Sequence, residues 1–177
     1  MALSGRFLAM ARCDNCKGLL LISRTSFAGG TFCGAGCVEK FKIALTERVV
    51  PAAALADEIT KIHMAACPVC KGPGPLDVYE ANKATGMLVA YQVKTLKRLS
   101  CAKCGRSLKL QAAAHCFFLG WWGLHAAVHT LVYLPKNLIG AVAAKPAPEP
   151  SQQLTRLVKI RLAEASAQAL QAAASES

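Results

Sequence analysis

Eight of the nine cysteines in this 177-residue chain form four close pairs, and their spacing constrains the fold more than any other feature. A gap of two or three residues lets two thiolates turn towards one ion, and two such pairs complete a tetrahedral zinc site with Zn–S bonds of roughly 2.3 Å. We pair the first with the second and the third with the fourth, because neighbouring pairs close shorter loops. The sequence therefore predicts two zinc ions, one held by Cys13, Cys16, Cys33 and Cys37 and one by Cys67, Cys70, Cys101 and Cys104.

The alternatives to zinc are a disulfide framework and a redox-active Cys-x-x-Cys pair. Residues 1–11 are a short segment that contains Arg6 and leads directly into the first cysteine pair, which is not the pattern of a secretory signal. We therefore expect a reducing, cytosolic environment, where disulfides are rare. Four pairs in series are more typical of structural sites than of redox sites. We interpret the ninth cysteine, Cys116, as a buried small apolar side chain.

Composition divides the chain into five segments. These are a first tetracysteine finger at 1–45, a helical connector at 46–66, a tetracysteine zinc ribbon at 67–109, an apolar segment at 110–144, and a Pro-rich spacer with a tail helix at 145–177. In the connector, Pro51 suits a first helical turn, and apolar residues follow at helical spacing. In the ribbon, the strand-like runs LDVYEA and MLVAYQVKTL flank NKATG, which we interpret as the turn of a β-hairpin. We expect small α+β zinc-binding modules, a treble-clef-like knuckle and a zinc ribbon, followed by an apolar helical segment and a C-terminal helix.

The tail begins with KPAPEP at 145–150, whose three prolines favour an extended spacer. Ser151 can cap the helix that follows. One face of that helix carries Leu154, Leu157, Val158, Leu162, Ala165 and Ala169. The sequence leaves open whether the helix is marginal and frayed, or docks on the protein or on a membrane surface.

The stretch CDNCKGLLLISRTSFAGGTFCGAGCVEKF resembles the FCS/TRASH/MYM-type treble-clef fingers. In that class a Cys-x-x-Cys knuckle and a hairpin precede an aromatic-Cys-x-x-x-Cys motif that opens a helix, and Phe32, Cys33, Cys37 and Phe41 match that motif. The resemblance implies a treble-clef fold and a role in metal handling, protein contact or nucleic-acid contact. The second half of the chain is similar to a group of uncharacterised bacterial proteins, through CPVC, SCAKCG and LGWWG. That similarity implies no activity.

Residues 110–135 contain no Asp, Glu, Lys or Arg, and they exceed the roughly 20 residues that a bilayer-spanning helix needs. The predicted membrane or core contacts are Phe117, Phe118, Trp121 and Trp122. Paired tryptophans near the middle of the segment favour two short helices broken at GWWG, in a re-entrant or surface-lying hairpin. We weigh membrane association, as a single span or at the interface, against a soluble domain whose apolar helices pack on the ribbon.

A basic flank precedes the apolar segment. It consists of Lys94, Lys97, Arg98, Lys103, Arg106 and Lys109, with no acidic residue among them. By the positive-inside rule, this flank places the zinc sites on the cytoplasmic face of the inner membrane, with a cytoplasmic protein as the alternative. His125 and His129 share a helix face, as metal or proton-relay ligands do, but we interpret them and His115 as interior or interfacial histidines because no carboxylate is nearby.

The formal net charge of +11 is concentrated in the cysteine-rich part of the chain, because residues 1–110 hold 16 Lys and Arg against 7 Asp and Glu. Two tetrathiolate zinc sites add about −4 and leave this part basic. We expect an adaptor that binds a protein partner and associates with a membrane through residues 110–135. The alternatives are a soluble zinc-finger protein that binds nucleic acid through its basic run, with Tyr79 and Tyr91 as stacking faces, and a metal-handling protein. We find no P-loop, Gly-x-Ser-x-Gly, HExxH or deaminase-type His-x-Glu motif and no sign of a small-molecule substrate, and we therefore expect no catalysis.

Overall fold

The computed structural model describes residues 12–20, 24–87 and 90–175. In chain order the elements are β1 (Thr25–Phe27), β2 (Gly30–Phe32), α1 (Ala35–Val49), α2 (Ala52–His63), β3 (Leu76–Gly86), β4 (Tyr91–Cys101), α3 (Ala102–Leu119), α4 (Leu124–Val142) and α5 (Gln152–Ser175). β1 pairs with β2 and β3 pairs with β4, both antiparallel, so each sheet has two strands. The predicted small α+β class is confirmed.

The described residues form two compact units. The first draws on Met1–Leu55 and Arg156–Ser177, and the second on Ala56–Thr155. The first unit therefore contains β1, β2, α1 and most of α5, while the second contains most of α2 together with β3, β4, α3 and α4. Each unit contains one of the two predicted cysteine groups.

The first unit has a small aromatic core. β1 and β2 have three residues each and are joined by a turn at Ala28 and Gly29, where φ is 48° and 77°. Phe32, at the end of β2, is fully buried, and its ring centroid lies 5.0 Å from that of Phe41 on α1. A hairpin this short is not stable alone, so it depends on packing against α1.

The tail helix α5 docks along α1 within the first unit. Its N-terminus is capped as predicted, because the Ser151 Oγ accepts a hydrogen bond from the Leu154 backbone N–H at 3.2 Å. Three ion pairs join the two helices: Lys42 to Glu164 at 2.5 Å, Arg156 to Glu39 at 2.7 Å, and Lys159 to Glu47 at 2.6 Å. Of the alternatives that the sequence left open, the structure has the helix docked on the protein.

The buried face of α5 differs in part from the predicted one. Leu154 and Val158 are buried as expected. Ala165 and Ala169 are exposed, whereas Ala163 and Ala167 are the buried alanines. Alanine occupies several faces of this segment, so the apolar periodicity does not distinguish one face from another.

The connector helix is confirmed as α2, although it is shorter than predicted. Residues 46–49 belong to the end of α1, and the chain breaks at Val50, which is extended with φ −100° and ψ 123°. Proline disfavours helical geometry in the residue before it, and Pro51 therefore ends α1. The Pro51 carbonyl then accepts a hydrogen bond from the Leu55 N–H at 3.0 Å, which begins α2.

The predicted hairpin of the second unit is confirmed, but its turn lies further along the chain. β3 and β4 pair without interruption from Leu76 opposite Cys101 to Gly86 opposite Tyr91. Residues 82–86, the predicted turn NKATG, therefore lie within β3, and that part of the prediction is wrong. β3 ends at Gly86 and β4 begins at Tyr91.

Tertiary hydrogen bonds explain why a turn-forming asparagine lies in a strand. The Asn82 N–H donates to Asn137 Oδ1 at 3.2 Å, and Asn137 Nδ2 donates to the Asn82 carbonyl at 2.7 Å. Two residues further along β3, the Ala84 N–H donates to Cys116 Sγ at 3.3 Å. Side chains from α4 and α3 thus complete the outer edge of β3, and Cys116 is fully buried, as predicted.

α3 and α4 pack against each other and against β3. The predicted break at GWWG is confirmed, since residues 120–123 separate the two helices. A Cβ on Gly120 would collide with the Thr130 hydroxyl, and Gly123 has φ of 154°, a region that favours glycine. The two glycines therefore permit a tight connection.

The break divides residues 110–135 between two helices. Within the described part of the chain, no helix combines the length and the apolar character that crossing a bilayer requires. The single span that we considered for this segment is not found.

Candidate metal centres

The first centre brings together the four cysteines of the first unit. Cys13 and Cys16 lie on a tight turn, Cys33 follows β2 directly, and Cys37 lies in the first turn of α1. Their four sulfur atoms are all within 4.8 Å of one another. Cys16 Sγ lies 3.7 Å from Cys33 Sγ, and Cys33 Sγ lies 3.4 Å from Cys37 Sγ. The four cysteines that the spacing groups together therefore have their sulfur atoms close together in the structure.

The second centre has the same construction in the second unit. Cys67 and Cys70 lie on a tight turn, Cys101 ends β4, and Cys104 lies in the first turn of α3. Cys70 Sγ lies 3.6 Å from Cys101 Sγ, and the Cys101 N–H donates to Cys67 Sγ at 3.4 Å. In both centres the first cysteine of the tight turn, Cys13 or Cys67, is fully buried. The second cysteine, Cys16 or Cys70, is exposed.

The sulfur geometry fits a tetrahedral metal ion. Four bonds of 2.3 Å at tetrahedral angles place neighbouring sulfurs about 3.8 Å apart, close to the separations of 3.4, 3.6 and 3.7 Å seen here. A disulfide needs about 2.05 Å between sulfurs, well below these separations. Each cluster can therefore hold one metal ion, and four thiolates without a carboxylate are typical of closed zinc sites.

Both tight turns use the same backbone hydrogen bonds. The Cys13 N–H donates to Gly18, the Lys17 N–H to Cys13, the Cys67 N–H to Gly72 and the Lys71 N–H to Cys67, all onto carbonyl oxygens at 2.8 Å. Lys17 and Lys71 both have φ of 60°. The two turns therefore have the same backbone conformation, and both have the sequence Cys-x-x-Cys-Lys-Gly.

Glycine follows three of the cysteine pairs, at Gly18, Gly72 and Gly105. A tight turn at such a position favours glycine when φ is positive, but none of the three has positive φ, and in the turns the left-handed residue is the preceding lysine. A Cβ on Gly18 or Gly72 would lie within 3.5 Å of a ligand sulfur. Gly105 lies against the ring of Tyr79, where a Cβ would collide. The distances at Gly18 and Gly72 are ordinary van der Waals contacts, so of these three glycines Gly105 is the one that a close approach requires.

Each centre also uses the N-terminus of a helix. Cys37 and Cys104 are both the third residue of their helix. Gly34 is the N-cap of α1, whereas Cys101 is itself the N-cap of α3. This difference explains why the second pair has a three-residue gap and the fourth a two-residue gap. Unpaired N–H groups and the positive end of the helix dipole favour thiolates at these positions.

The metal-free thiols of the first centre do not ionise together. Hydrogen bonding to the backbone of Cys16 lowers the pKa of Cys13 to about 6, against the raising effect of burial. Hydrogen bonds with the thiols of Cys37 and Cys16 raise the pKa of Cys33 to about 12. One thiolate forms readily and further negative charge is resisted, which a divalent cation relieves.

The second centre divides its thiols in the same way. Burial raises the pKa of Cys67, but hydrogen bonds to the backbone of Cys70 and Cys101 outweigh it and bring that pKa to about 6. Burial, followed by hydrogen bonding with the Cys70 thiol, raises the pKa of Cys104 to about 12. In both centres the readily ionised thiol is the fully buried cysteine of the tight turn.

Two residues that support the centres were missed by the sequence analysis. Asp14 Oδ2 accepts the Thr31 N–H at 2.6 Å, which ties the first turn to β2. His63, at 3% exposure, donates from Nδ1 to the Leu76 carbonyl at 2.7 Å, and Leu76 packs in the cluster that contains Cys67. A lone Asp in a turn and a His at a helix end give no periodic signal, so only the contacts identify them.

The predicted aromatic contacts are at the surface. The exposed fractions are 55% for Phe117, 68% for Phe118, 46% for Trp121 and 66% for Trp122. The buried residues of α3 are instead mostly small or sulfur-containing. The apolar helices do pack on the hairpin, but these four side chains are not the ones that form the core.

The predicted basic flank is largely solvent-exposed. Lys94, Lys97, Arg98, Lys103 and Arg106 are exposed, and Lys109 is half-buried. Arg106 Nε donates to the Ala141 carbonyl at 3.0 Å, and Lys97 lies 3.8 Å from Glu80.

The histidines of the apolar segment have ordinary partners. His115 Nε2 and the Thr85 hydroxyl are 2.8 Å apart, and burial lowers the pKa of His115. His125 and His129 stack on the Tyr91 ring, with centroid distances of 5.5 and 5.7 Å. Within residues 12–20, 24–87 and 90–175, the metal-binding clusters of three or more ligands are the two cysteine groups.

Comparison with known proteins finds no matching family, no matching curated protein and no matching solved structure. The similarities noted from motifs therefore stay predictions. What the structure establishes is a small α+β chain with two tetracysteine clusters, each able to hold a metal ion.

Proposed function

We propose that this protein is a membrane-associated interaction module in which each tetracysteine cluster holds one structural Zn²⁺. The observation that carries the proposal is that each cluster joins a tight turn, the end of a hairpin and the start of a helix. Zinc binding at such a junction contributes directly to folding free energy. Four thiolates leave no open coordination position for a substrate, which supports contact rather than catalysis.

The order of elements in both units supports a treble-clef description. A Cys-x-x-Cys turn comes first, then a two-stranded hairpin, then a helix whose third residue is a ligand. We propose this description for the first unit on its motif, and the second unit follows the same order with longer strands.

Exposed aromatic side chains support association with a membrane. Trp121 and Trp122 lie between two helices and are 46% and 66% exposed, although water disfavours such large apolar surfaces. Tryptophan is enriched where protein meets the membrane interface. In this proposal the apolar segment attaches the protein to the cytoplasmic face of the inner membrane, and the zinc-stabilised units bind a protein partner.

Cell fractionation with zinc counting tests this function. We expect the full chain in the membrane fraction with two zinc ions, and the double variant Trp121→Ser, Trp122→Ser in the soluble fraction with both ions retained. Met64→Ser is the matched control, because Met64 is also 66% exposed but lies outside the apolar segment. Wild-type protein in the soluble fraction, or a tryptophan variant that stays with membranes, would contradict the proposal.

Nucleic-acid binding is the second candidate function, and one observation favours it. Residues 81–148 contain nine Lys and Arg and no Asp or Glu. The expected stacking faces are less favourable: Tyr91 already stacks on two histidines, and the Tyr79 ring packs against Gly105. Affinity for a labelled single-stranded RNA that falls steeply with salt would support this candidate. Weak binding without a salt slope would remove it.

A further inference from the structure

Helix α4 buries its small and polar residues and exposes its large apolar residues, whereas a helix on the surface of a water-soluble domain does the reverse. Its buried residues are small or polar: Ala126, Thr130, Asn137 and Ala141. Its exposed residues are large and apolar, and include Leu124, Val128, Leu131, Val132, Ile139 and Val142, each more than half exposed. The exposed residues recur at helical spacing, so they form one continuous apolar stripe along a helix about 28 Å long.

The buried side of α4 shows why the large residues point outward. A Cβ on Gly86 would lie 2.7 Å from Ala126 Cβ, and Gly120 lies against Thr130 in the same way. Asn137 meanwhile bonds both backbone groups of Asn82. Close packing through small residues and buried polar contacts, with large apolar residues outside, is how helices pack in lipid.

One end of the second unit extends the apolar stripe. Phe117, Phe118, Trp121 and Trp122 lie at the junction of α3 and α4, and Met87 of the hairpin turn, 69% exposed, lies beside Gly123 of the same junction. We call this end the aromatic tip. The metal centre of this unit is at the other end of the hairpin, ten residue pairs away, because Leu76 pairs with Cys101 and Gly86 with Tyr91. Membrane contact at the tip therefore leaves the metal centre free.

Charge identifies what covers this surface. Residues 81–148 form the hairpin from Ala81 onward, α3 and α4, and they carry nine cations and no carboxylate of their own. Glu80, which precedes them on β3, lies 3.8 Å from Lys97 and offsets one of the nine. Lys136 is exposed on α4 itself, and Lys145 is exposed shortly after its end. An anionic lipid surface offers negative headgroups to these cations and an apolar interior to the stripe. A second copy of the same surface would instead bring cations against cations.

We infer that the α4 stripe and the aromatic tip insert into the headgroup and outer acyl region of a bilayer rich in anionic lipid, with α4 lying in the plane of the membrane. The inference rests on the proposed membrane association and adds that lipid, not a protein receptor, is what the surface binds. Both the apolar stripe and the cations contribute, so binding requires both an acyl boundary and negative headgroups.

Vesicle binding by the zinc-loaded full chain tests the inference. The probes are vesicles of phosphatidylcholine alone and of phosphatidylcholine mixed with phosphatidylglycerol. Trp121 and Trp122 are the chain's two tryptophans, so intrinsic fluorescence reports directly on the tip. We expect at least about tenfold tighter binding to the mixed vesicles, reduced at high salt, with a blue shift of tryptophan emission and protection from acrylamide.

Paired variants separate the stripe from general surface effects. Leu131→Ser with Ile139→Ser changes stripe residues that are 63% and 69% exposed, and should weaken vesicle binding by about tenfold or more while zinc content is unchanged. Val49→Ser with Met64→Ser changes equally exposed residues elsewhere, at 61% and 66%, and should leave vesicle binding unchanged.

Three results would overturn the inference. Equal binding to both kinds of vesicle would remove the anionic requirement, and equal weakening by both variant pairs would remove the stripe. Absence of binding to either kind of vesicle would show that lipid does not cover the surface. Protection of the tryptophans as a dimer forms would then identify a second copy as the occupant, and a chain that stays monomeric would point to a protein receptor. A protein that does not bind vesicles could still carry two zinc ions and still fractionate with membranes in cells. That combination would contradict lipid binding by this surface and leave the proposed function standing.

Discussion

Lys17 and Lys71 have the same place in the two tight turns, and each has left-handed φ of 60°. The cysteine spacing predicts which side chains meet, because two ligands two residues apart can reach one ion whatever the rest of the fold does. It does not predict which residue takes the left-handed conformation, and glycine's preference for positive φ points to the wrong neighbour. The repeated Cys-x-x-Cys-Lys-Gly sequence was the available signal, since two turns with one sequence should share one backbone.

Substitution of Lys71 tests this backbone. Lys71→Gly should leave the zinc-loaded protein equally stable or more stable by up to about 1 kcal/mol, because glycine removes the strain of left-handed φ. Lys71→Val should destabilise it by about 1–2 kcal/mol, because a branched Cβ increases that strain. Denaturant unfolding of the two zinc-loaded variants measures the difference. Equal stability of the glycine and valine variants would show that this residue is not held in the left-handed region.

The thiol pKa values predict how zinc binding depends on pH. The pKa of Cys13 is lowered from 9.0 to about 6, so its thiolate is favoured in the folded metal-free protein above that pH and is lost as the pH falls through about 6. Protons then compete with zinc for the sulfurs. Because the Cys33 thiol has a pKa of about 12, zinc already displaces a proton at neutral pH, so we expect zinc affinity to fall as the pH is lowered and to fall more steeply below about 6, with more than one proton taken up per zinc ion released. Competition with a chromophoric chelator measures this, and affinity that does not change through this pH range would contradict thiolate ligation.

At the scale of elements, local pattern predicts some features and tertiary contacts decide others. The hairpin, the connector helix and the break at GWWG follow from strand-like runs, from Pro51 and from paired glycines, all of which act locally. The turn at residues 82–86 was mispredicted because Asn82 bonds to Asn137, which lies 55 residues away. The orientation of α4 could not be predicted from an apolar run alone, since the buried side is chosen by what fits against Gly86 and Gly120.

Removal of the Asn137 side chain tests the contact that places β3. Asn137→Ala should destabilise the zinc-loaded protein by about 2–4 kcal/mol, because it leaves the buried Asn82 N–H without its partner and the Asn82 carbonyl with only the weak Cys116 thiol donor at 3.5 Å. Gln92→Ala, at an exposed position on β4, should change stability by less than about 0.5 kcal/mol. Thermal or denaturant unfolding compares the two. If both variants lose the same stability, the Asn82–Asn137 pair does not stabilise the hairpin.

At the scale of the whole molecule, two small units each combine a thin core with a tetracysteine cluster. The first unit buries Cys13, Leu20, Phe32 and Val38 as its central cluster. The second groups Cys67 and Cys104 with Leu76 and has a further small cluster of Ala81, Leu108 and Ala112. Cores this small supply little hydrophobic stabilisation, so metal binding supplies a correspondingly large part of the free energy of folding. Metal binding by each unit is therefore what the stability of this protein depends on most.

Counting zinc by native mass spectrometry in paired cysteine variants tests that claim most directly. Wild-type protein should bind two zinc ions, and Cys16→Ser or Cys70→Ser should bind one. The double variant Cys13→Ser, Cys37→Ser removes two ligands of one centre and should keep one zinc ion, whereas Cys16→Ser, Cys70→Ser removes one ligand from each and should keep none. Two ions retained in a single variant, or none in the Cys13, Cys37 variant, would contradict two independent tetracysteine centres.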